Sequence, residues 1–354
     1  MSERIVVAMS GGVDSSVAAA LLVEAGYEVI GVTLRLVGDA SRCCSLDDVE
    51  DARRVAERLG IRFYVADQSD AFRREVMEPW ADGYLAGRTP IPCVTCNQRF
   101  KFRHLLARAE ALGARAVATG HYARVERDAG GALTLHRGAD PEKDQSYFLF
   151  DLRPAQLARV VFPIGALYKG EVRRHARRLG LATADKPESQ ELCFVPDGDH
   201  AAVVEKLRPG AAPGAGAIVD EAGQIVGTHG GIHRYTVGQR RGLGVATGER
   251  VFVRAIDAAR NRITVAPAAR LMAHGARVRD VSWVSGTAPA GVLRAAVRVR
   301  HRHVGVDAQI DPQPGDAADL RFDAGVAAVT PGQAAVFYVG DRVLGGGWIE
   351  EALA

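Results

Sequence analysis

A glycine- and serine-rich turn near the N-terminus contains residue types that bind phosphate. The turn Ser10-Gly11-Gly12-Val13-Asp14-Ser15 directly follows residues 5–9, whose apolar and β-branched side chains are typical of a buried strand. Asp14, Ser15 and Ser16 then open an apolar-periodic helix, which is predicted over residues 17–25. Glycines can take positive φ, and the N–H groups at a helix N-terminus attract anions. We therefore predict a phosphate-binding loop here, with a plain tight turn as the alternative.

Three cysteines in two distant segments are candidate nucleophiles. Cys93 and Cys96 form a Cys-x-x-Cys pair ahead of a predicted helix, and Cys193 lies in a loop that is expected to enter a strand. The N-terminus of a helix favours the thiolate form of cysteine, so these thiols could exchange sulfur above the phosphate loop through a persulfide or a disulfide. A structural zinc site is the less favoured alternative, because no second pair follows at zinc spacing. The adjacent Cys43 and Cys44 are interpreted as small core residues.

The composition is ordinary for a soluble globular protein. Of the 354 residues, 47% are hydrophobic and 25% are charged, and a formal net charge of +3 does not by itself indicate a nucleic-acid binder. No apolar run approaches membrane-spanning length and no secretory signal opens the chain, so we expect a cytoplasmic protein without membrane association, and a monomer. Five cysteines in such a chain argue against a structural disulfide framework. Basic residues are mostly arginine, with only five lysines, and we draw no function from that bias.

Strand and helix patterns alternate over the first part of the chain and then give way to short strands. The alternation predicts an α/β fold with a doubly wound parallel sheet over residues 1–203, with ligands at the carboxyl ends of its strands. A linker-like run at 209–214 lies within a small β-rich domain that is predicted over 204–275. A C-terminal β-barrel is predicted over 276–354.

A basic strand is predicted in the C-terminal part, over residues 294–303. The two-residue period of a strand places Arg298, Arg300 and Arg302 on one face, where they would suit the phosphates of a nucleic acid. An ordinary solvated strand face is the alternative.

The turn at residues 10–15 resembles the pyrophosphatase-type ATP loop (SGGxDS) of the adenine nucleotide α-hydrolase-like superfamily, whose members split ATP between the α- and β-phosphates. Taken with further motifs, the chain is similar from end to end to the bacterial tRNA-specific 2-thiouridylases. The motifs that carry this resemblance occur in all three predicted domains, at residues 8–15, 43–48, 87–90, 96–97, 101–102, 118–122, 143–149, 237–244, 327–335 and 344–347.

The resemblance implies a two-step reaction on tRNA. ATP, usually with magnesium, adenylates the C2 oxygen of the wobble uridine and releases pyrophosphate, and sulfur from a relay of carrier proteins then replaces that oxygen. At matching positions, Cys193 would hold the persulfide and Cys96 would be its partner nucleophile, with a transient disulfide between them. The chemistry agrees, because adenylation makes the oxygen a better leaving group and a persulfide is a good nucleophile. The implied partners are tRNA and a persulfide-carrying sulfur-relay protein.

The resemblance also implies which residues bind the substrates. At the ATP site these are Ala8, Met9, Ser10, Gly11, Gly12, Val13, Asp14, Ser15, Leu34 and Gly120. Against the target base they are Ile91, Pro92 and Cys93. Elsewhere on the tRNA they are His121, Lys143, Asp144, Gln145, Arg300, His301 and Gln333.

Cys93 departs from the family pattern, because many members have an aspartate at this position. That aspartate is proposed to act as an acid or base beside the persulfide cysteine, and a thiol here puts the role in doubt. Cys93, Cys96 and Cys193 could instead hold a [4Fe-4S] cluster by three of its irons, with the fourth iron open to bind sulfur. The cluster stays an open hypothesis at this point.

Proteins of other classes would share only part of these features. An amidotransferase-type synthetase or an argininosuccinate synthetase would have the ATP loop without the two distant thiols and the basic C-terminal part. A non-catalytic tRNA-binding or iron–sulfur carrier protein would not need an intact ATP loop. The sequence therefore favours the thiolation enzyme.

Overall fold

A computed structural model of the chain describes residues 2–37, 46–188, 192–195 and 198–354. Its first sheet consists of five strands, β1 (Arg4–Ala8), β2 (Glu28–Arg35), β3 (Arg62–Asp67), β4 (Ala116–Ala118) and β7 (Val160–Val161). All are parallel, in the order β3-β2-β1-β4-β7. The strand order reverses between β1 and β4, and ligands of such sheets bind in the crevice at this point.

Helices cover both faces of the parallel sheet. Along β1 the side chains alternate, so that Val6 packs into one buried cluster while Ile5 and Val7 pack into another. The helices on the side of Ile5 and Val7 are α1 (Val13–Glu24), α2 (Leu46–Leu59) and α8 (Lys169–Arg178). The side of Val6 carries two longer helical segments and α9 (His200–Leu207). The predicted doubly wound α/β architecture is confirmed.

Each of the two longer helical segments contains a stretch of π-helix. The first consists of α3 (Ser69–Phe72), a π-helix (Arg73–Met77) and α4 (Glu78–Leu85), and the second of α5 (Pro92–Thr95), a π-helix (Cys96–Phe102) and α6 (Arg103–Ala111). The second segment begins at Pro92, before the Cys-x-x-Cys pair, whereas the helix was predicted to follow that pair. Proline is well suited to the first position of a helix, because its φ is already helical and its missing N–H would have no partner there. Cys93 and Cys96 therefore lie within the first turns of this helix rather than ahead of it.

A four-stranded sheet follows in the middle of the chain, in the order β10-β11-β8-β9. Its strands are β8 (Gly216–Val219), β9 (Ile225–His229), β10 (Val251–Asp257) and β11 (Arg262–Pro267), and its core includes Ile218, Val253, Ile263 and Val265. Short helices connect elements in several parts of the chain: α7 (Pro154–Leu157) and 3₁₀ turns at Ser146–Phe148, Ile232–Arg234 and Ala268–Leu271.

Six antiparallel strands form a closed barrel in the last part of the chain. They are β12 (Met272–Trp283), β13 (Leu293–Arg298), β14 (Val306–Gln313), β15 (Ala317–Ala327), β16 (Ala334–Val339) and β17 (Arg342–Leu353). The order is β12-β15-β14-β13-β16-β17, and pairing of β12 with β17 closes it. The predicted barrel is thus confirmed. A hairpin of β5 (Ala123–Arg127) and β6 (Leu133–Arg137) extends the same sheet through β17, and the bounds of the three domains stay predictions.

The prediction of three arginines on one face of a strand is wrong. Strand β13 ends at Arg298 and residues 299–302 turn, so Arg298, Arg300 and Arg302 do not alternate along one strand face. The side chain of Arg298 is 11% exposed and pairs with Asp144 at 3.1 Å, whereas Arg300 and Arg302 are exposed. The strand period fails because the chain must reverse here to enter β14.

Among the described residues, every helix is too short or too polar to cross a lipid bilayer.

The turn between β1 and α1 depends on one of its two glycines. Helix α1 begins at Val13, four residues before the predicted start, because Ser15 Oγ and Ser16 Oγ donate to the Gly12 carbonyl at 3.1 and 2.8 Å from inside the first turn. Gly12 has an extended φ of −96°, while Gly11 has a left-handed φ of +72°. A Cβ atom on Gly11 would lie 2.1 Å from the carbonyl oxygen of Asp48, but one on Gly12 would meet nothing closer than 3.6 Å. Only Gly11 is required by the geometry of the turn.

Substitution of the two glycines should therefore give different losses of stability. Gly11→Ala combines a left-handed φ with a backbone clash, and we expect it to lower the free energy of unfolding by at least about 2 kcal/mol. Gly12→Ala is the matched control and should change it by less than about 1 kcal/mol. Urea unfolding followed by circular dichroism measures both. Equal stability of the two variants would contradict the assignment of the turn to Gly11.

Candidate active site

A cavity of about 340 Å³ opens at the carboxyl ends of the parallel strands. Residues after β1, β2 and β4 line it, as expected at the point where the strand order reverses. The lining residues are Ala8, Met9, Ser10, Asp14, Ser15, Val32, Leu34, Leu36, Phe72, Pro92, Cys93, Cys96, Asn97, Lys101, Leu105, Thr119, Gly120, His121, Gln145, Phe148, Leu192, Cys193 and Phe194. The cavity therefore brings the predicted phosphate loop and three cysteines to one place.

Most residues predicted to bind ATP line this cavity. Seven do so directly, namely Ala8, Met9, Ser10, Asp14, Ser15, Leu34 and Gly120, while Gly11, Gly12 and Val13 form the turn behind them. The Ser10 N–H donates to Ser15 Oγ at 3.1 Å, which closes the turn over the start of α1. Gly120 lies so near that a Cβ atom there would be 2.6 Å from the Ser15 nitrogen. The N-terminus of α1 therefore faces the cavity, and Gly120 can approach it this closely only because glycine has no Cβ atom.

Cys93, Cys96 and Cys193 line the same cavity although about a hundred residues separate the pair from the third. The helix that starts at Pro92 carries the pair. The segment of Cys193 forms a turn over residues 192–195 rather than entering the expected strand. Phe194 anchors this turn, because its ring packs edge-on against Trp80 at 5.0 Å and Phe72 at 6.0 Å. Cys43 and Cys44 lie outside the described residues.

The described residues do not form a metal site. Across residues 2–37, 46–188, 192–195 and 198–354, no three His, Cys, Asp or Glu side chains are grouped so as to hold a metal ion. Cys93, Cys96 and Cys193 share one cavity, and the [4Fe-4S] cluster and the magnesium ion stay predictions of the sequence.

A network of alternating charges surrounds Asp14. Lys169 Nζ, at the start of α8, donates to both carboxylate oxygens of Asp14 at 2.8 Å, and the Tyr122 hydroxyl donates to Oδ1 at 2.7 Å. Lys169 also pairs with Glu188 at 2.8 Å, and Glu188 pairs with Lys143 at 2.8 Å. Lys169 is only 12% exposed, so its charge is poorly hydrated and needs these partners.

The same contacts perturb the titration of their members. Partial burial raises the pKa of Glu188, but hydrogen bonds from Lys143 and Lys169 outweigh it and bring the pKa to about 2. Burial, and next to it the charge of Asp14, raises the pKa of Tyr122. Burial and then the charge of Lys101 lower the pKa of His121 to about 3. At neutral pH Glu188 is therefore charged, while His121 and Tyr122 are neutral.

Sequence reasoning named only Lys143 among the lysines, through the family resemblance, and missed Lys101, Lys169 and Lys186. Lys101 lines the cavity, Lys143 and Lys169 hold Glu188, and Lys186 pairs with Asp48 at 2.7 Å and with Asp51. Four of the five lysines of an arginine-rich chain thus lie in or beside the site. That concentration was the available signal, because a lysine kept where arginine is the common base has a specific positional role.

The residues predicted to contact the target base and the adjoining tRNA divide into two groups. Pro92, Cys93, His121 and Gln145 line the cavity, and Ile91 is the residue that precedes the helix. His121 Nδ1 lies 2.7 Å from Thr119 Oγ1, and Gln145 Oε1 accepts the Tyr122 N–H at 3.0 Å.

The second group lies outside the cavity, next to it. Lys143 and Asp144 are held by Glu188 and Arg298, and the ring of His301 lies on Phe148 at 4.4 Å. The list is completed by Arg300, which is exposed and donates to the Ala327 carbonyl at 3.1 Å, and by Gln333, which donates to the Thr89 carbonyl at 2.8 Å. The second contact ties the barrel to the loop that precedes Cys93.

Three family models match the chain in succession. Residues 3–197 match the "tRNA methyl transferase HUP domain", residues 205–267 the "tRNA methyl transferase PRC-barrel domain" and residues 273–349 the "Aminomethyltransferase beta-barrel domain". A solved structure of a 4-thiouridine synthetase–RNA complex with bound ATP aligns with a TM-score of 0.37 and 20% identity, covering 58% of this chain and 49% of that one. At this level the likeness carries no argument.

Curated relatives match over almost the full length. The "tRNA-specific 2-thiouridylase MnmA" of Geobacter metallireducens is 52% identical over 99% of this chain and 98% of its own. The protein of the same name from Rhodospirillum centenum is 51% identical over 99% of this chain and 92% of its own. Identity at this level over the whole length shows that the chain belongs to the family of tRNA-specific 2-thiouridylases.

Proposed function

We propose that this protein uses ATP to adenylate the C2 oxygen of the wobble uridine in tRNA and then replaces that oxygen with sulfur from a cysteine persulfide. One observation carries the proposal: the phosphate loop at Ser10–Ser15 and the thiols of Cys96 and Cys193 line a single cavity. Family membership supports thiolation at C2 of uridine as the overall reaction. The shared cavity supports the order of steps, because an adenylate formed at the loop would lie within reach of the thiols.

The first step is adenylation. The C2 oxygen of the uracil attacks the α-phosphorus of ATP, the bond to the β-phosphate breaks, and pyrophosphate leaves. The N–H groups of the loop and of the α1 N-terminus stabilise the charge that develops on the phosphates. Lys169 adds a cation at the loop, where its ammonium group exchanges Asp14 and Glu188 for phosphate oxygens.

The second step is sulfur transfer. The terminal sulfur of a Cys193 persulfide attacks C2 and AMP leaves, which joins the base to Cys193 through two sulfurs. The Cys96 thiolate then attacks the Cys193 sulfur. The sulfur–sulfur bond to the base breaks, 2-thiouridine is released, and Cys96 and Cys193 are left as a disulfide. A thiol reductant restores both thiols, and a persulfide-carrying relay protein reloads Cys193.

The remaining parts of the chain place the tRNA. Base chemistry requires the uridine to leave its stack and enter a pocket, and Pro92 and Cys93, in the first turn of α5, line the cavity together with the other thiols. We assign catalysis to residues 1–203. We assign tRNA contact to the barrel at 276–354, through exposed basic side chains such as that of Arg300. The protein acts as a cytoplasmic monomer in this proposal.

The first test is loss of either thiol. Cys96→Ser and Cys193→Ser should each lower the rate of 2-thiouridine formation by at least about 10³-fold, because neither transfer nor release can proceed without its sulfur. ATP binding should persist in both, since the phosphate loop is untouched. Mass spectrometry of tRNA nucleosides after incubation with ATP, a persulfide donor and a thiol reductant measures the product. Thiolation at the wild-type rate in either variant would rule out the two-thiol mechanism.

The second test concerns Lys169. Lys169→Met removes a charged hydrogen-bond donor from the phosphates, so ATP–pyrophosphate turnover in the presence of tRNA should fall about 10- to 100-fold. The matched control is Lys206→Met, because Lys206 is exposed on α9, away from the cavity, and should leave turnover unchanged. Melting temperatures of both variants show whether the loss has a structural origin. If the two variants turn over alike, Lys169 has no part in adenylation.

The third test compares substitutions of a buried arginine and an exposed one for their effects on stability and tRNA binding. Arg298→Met leaves Asp144 buried without its partner and should lower the free energy of unfolding by about 3–5 kcal/mol. Arg300→Gln should leave stability unchanged, weaken tRNA binding and reduce the slope of log K against log salt by about 1. Binding is measured by filter retention at several salt concentrations, and stability by urea unfolding. The assignment of Arg300 to the tRNA surface fails if its variant binds with an unchanged salt slope.

A further inference from the structure

The cavity wall contains a buried amide that the described residues do not satisfy. Asn97 is 5% exposed, lines the cavity and directly follows Cys96. Its Oδ1 is fully buried and accepts no hydrogen bond from any described residue. A buried amide oxygen without a hydrogen-bond donor costs on the order of 1–3 kcal/mol of stability. A protein keeps such an oxygen where a ligand supplies the missing donor.

The position of Asn97 on its helix directs the amide toward the thiols. Cys93, Asn97, Lys101 and Leu105 recur every four residues, and all four line the cavity. The next residue, Gln98, faces a different cleft, which it lines together with Arg103 and others. The amide of Asn97 is therefore on the catalytic face of the helix, in the turn that begins with Cys96.

Uracil presents a matching pattern of polar groups. Its N3–H donor lies beside the O4 acceptor, and the two can be bound together without using the C2 oxygen, which must stay free for adenylation. A carboxamide carries one acceptor and two donors side by side, and rotation about its Cβ–Cγ bond brings either end to the cavity. One amide can thus accept from N3–H through Oδ1 and donate to O4 through Nδ2.

We propose that Asn97 binds the N3–H and O4 edge of the flipped uridine and thereby turns its C2 toward the thiols. The inference rests on the proposed function, because it requires a uracil base in the cavity. It assigns recognition of the base to a side chain other than Ile91, Pro92 and Cys93, which the resemblance places against it. Asn97 acts through direct contact with the base and not through the fold, so its loss should be felt in binding rather than in stability.

A binding test with a modified base isolates this contact. The probe is an anticodon stem–loop with either uridine or N3-methyluridine at the wobble position, since the methyl group removes the N3–H donor. The wild-type protein should bind the uridine form at least about tenfold more tightly. In Asn97→Leu, which keeps the volume and removes the amide, the ratio of the two dissociation constants should fall to within about twofold of one. Gln98→Leu is the matched control and should retain the wild-type ratio.

Stability and ATP binding decide how a changed ratio is interpreted. Asn97→Leu should keep or raise the melting temperature, because it replaces an unsatisfied buried amide by an apolar group. If the leucine is not tolerated, Asn97→Ala takes its place, since it removes the amide without adding volume.

The inference is overturned if wild type binds the two stem–loops equally, or if Asn97→Leu keeps the wild-type ratio. Weaker ATP binding with an unchanged ratio would overturn it as well, because the amide would then face the adenine. All of these measurements use binding alone. A wild-type protein that forms no 2-thiouridine would therefore count against the proposed function and not against this contact.

Discussion

The ion pair between Asp14 and Lys169 is the contact on which the arrangement of the site depends. It joins the N-terminus of α1 to the N-terminus of α8 at 2.8 Å, next to the cavity that Asp14 lines. Glu188 continues the pairing to Lys143, so that four charges from four stretches of the chain neutralise one another. Lys169, the most buried of the four at 12% exposed, depends most on this pairing. The phosphate loop and the segment that leads to Cys193 are thereby held against each other.

The barrel is attached to this centre rather than joined to it by a flexible linker. The hairpin of β5 and β6 continues the barrel sheet, Gln333 bonds the loop before Cys93, and Arg298 pairs with Asp144. His301 lies on Phe148, which itself lines the cavity. These contacts join the barrel to residues that line or border the cavity.

Local sequence patterns predicted a structural feature correctly where one stretch of chain was sufficient to form it. The run of apolar residues before Ser10, the glycines and the following helix make a phosphate turn by backbone geometry alone, and the alternation of elements makes a parallel sheet. Patterns failed where a distant partner decided the outcome. Arg298 has the spacing of an exposed strand residue, but Asp144 and the rings of Tyr147 and Tyr338 bury it. Lys169 has no local signature, because its role comes from Asp14 and Glu188.

By itself the sequence determined that a β-barrel follows an α/β domain, and it predicted a phosphate loop and reactive thiols, since these depend on residue type and short-range periodicity. The tertiary structure alone decided that Cys96 and Cys193 line one cavity with the predicted loop, and that Cys93 lies in the first turn of a helix that begins at Pro92. It also decided which basic side chains are buried and which face solvent. The physical reason is that proximity and burial are set by packing between distant segments, and packing does not follow from the order of residues within any one of them.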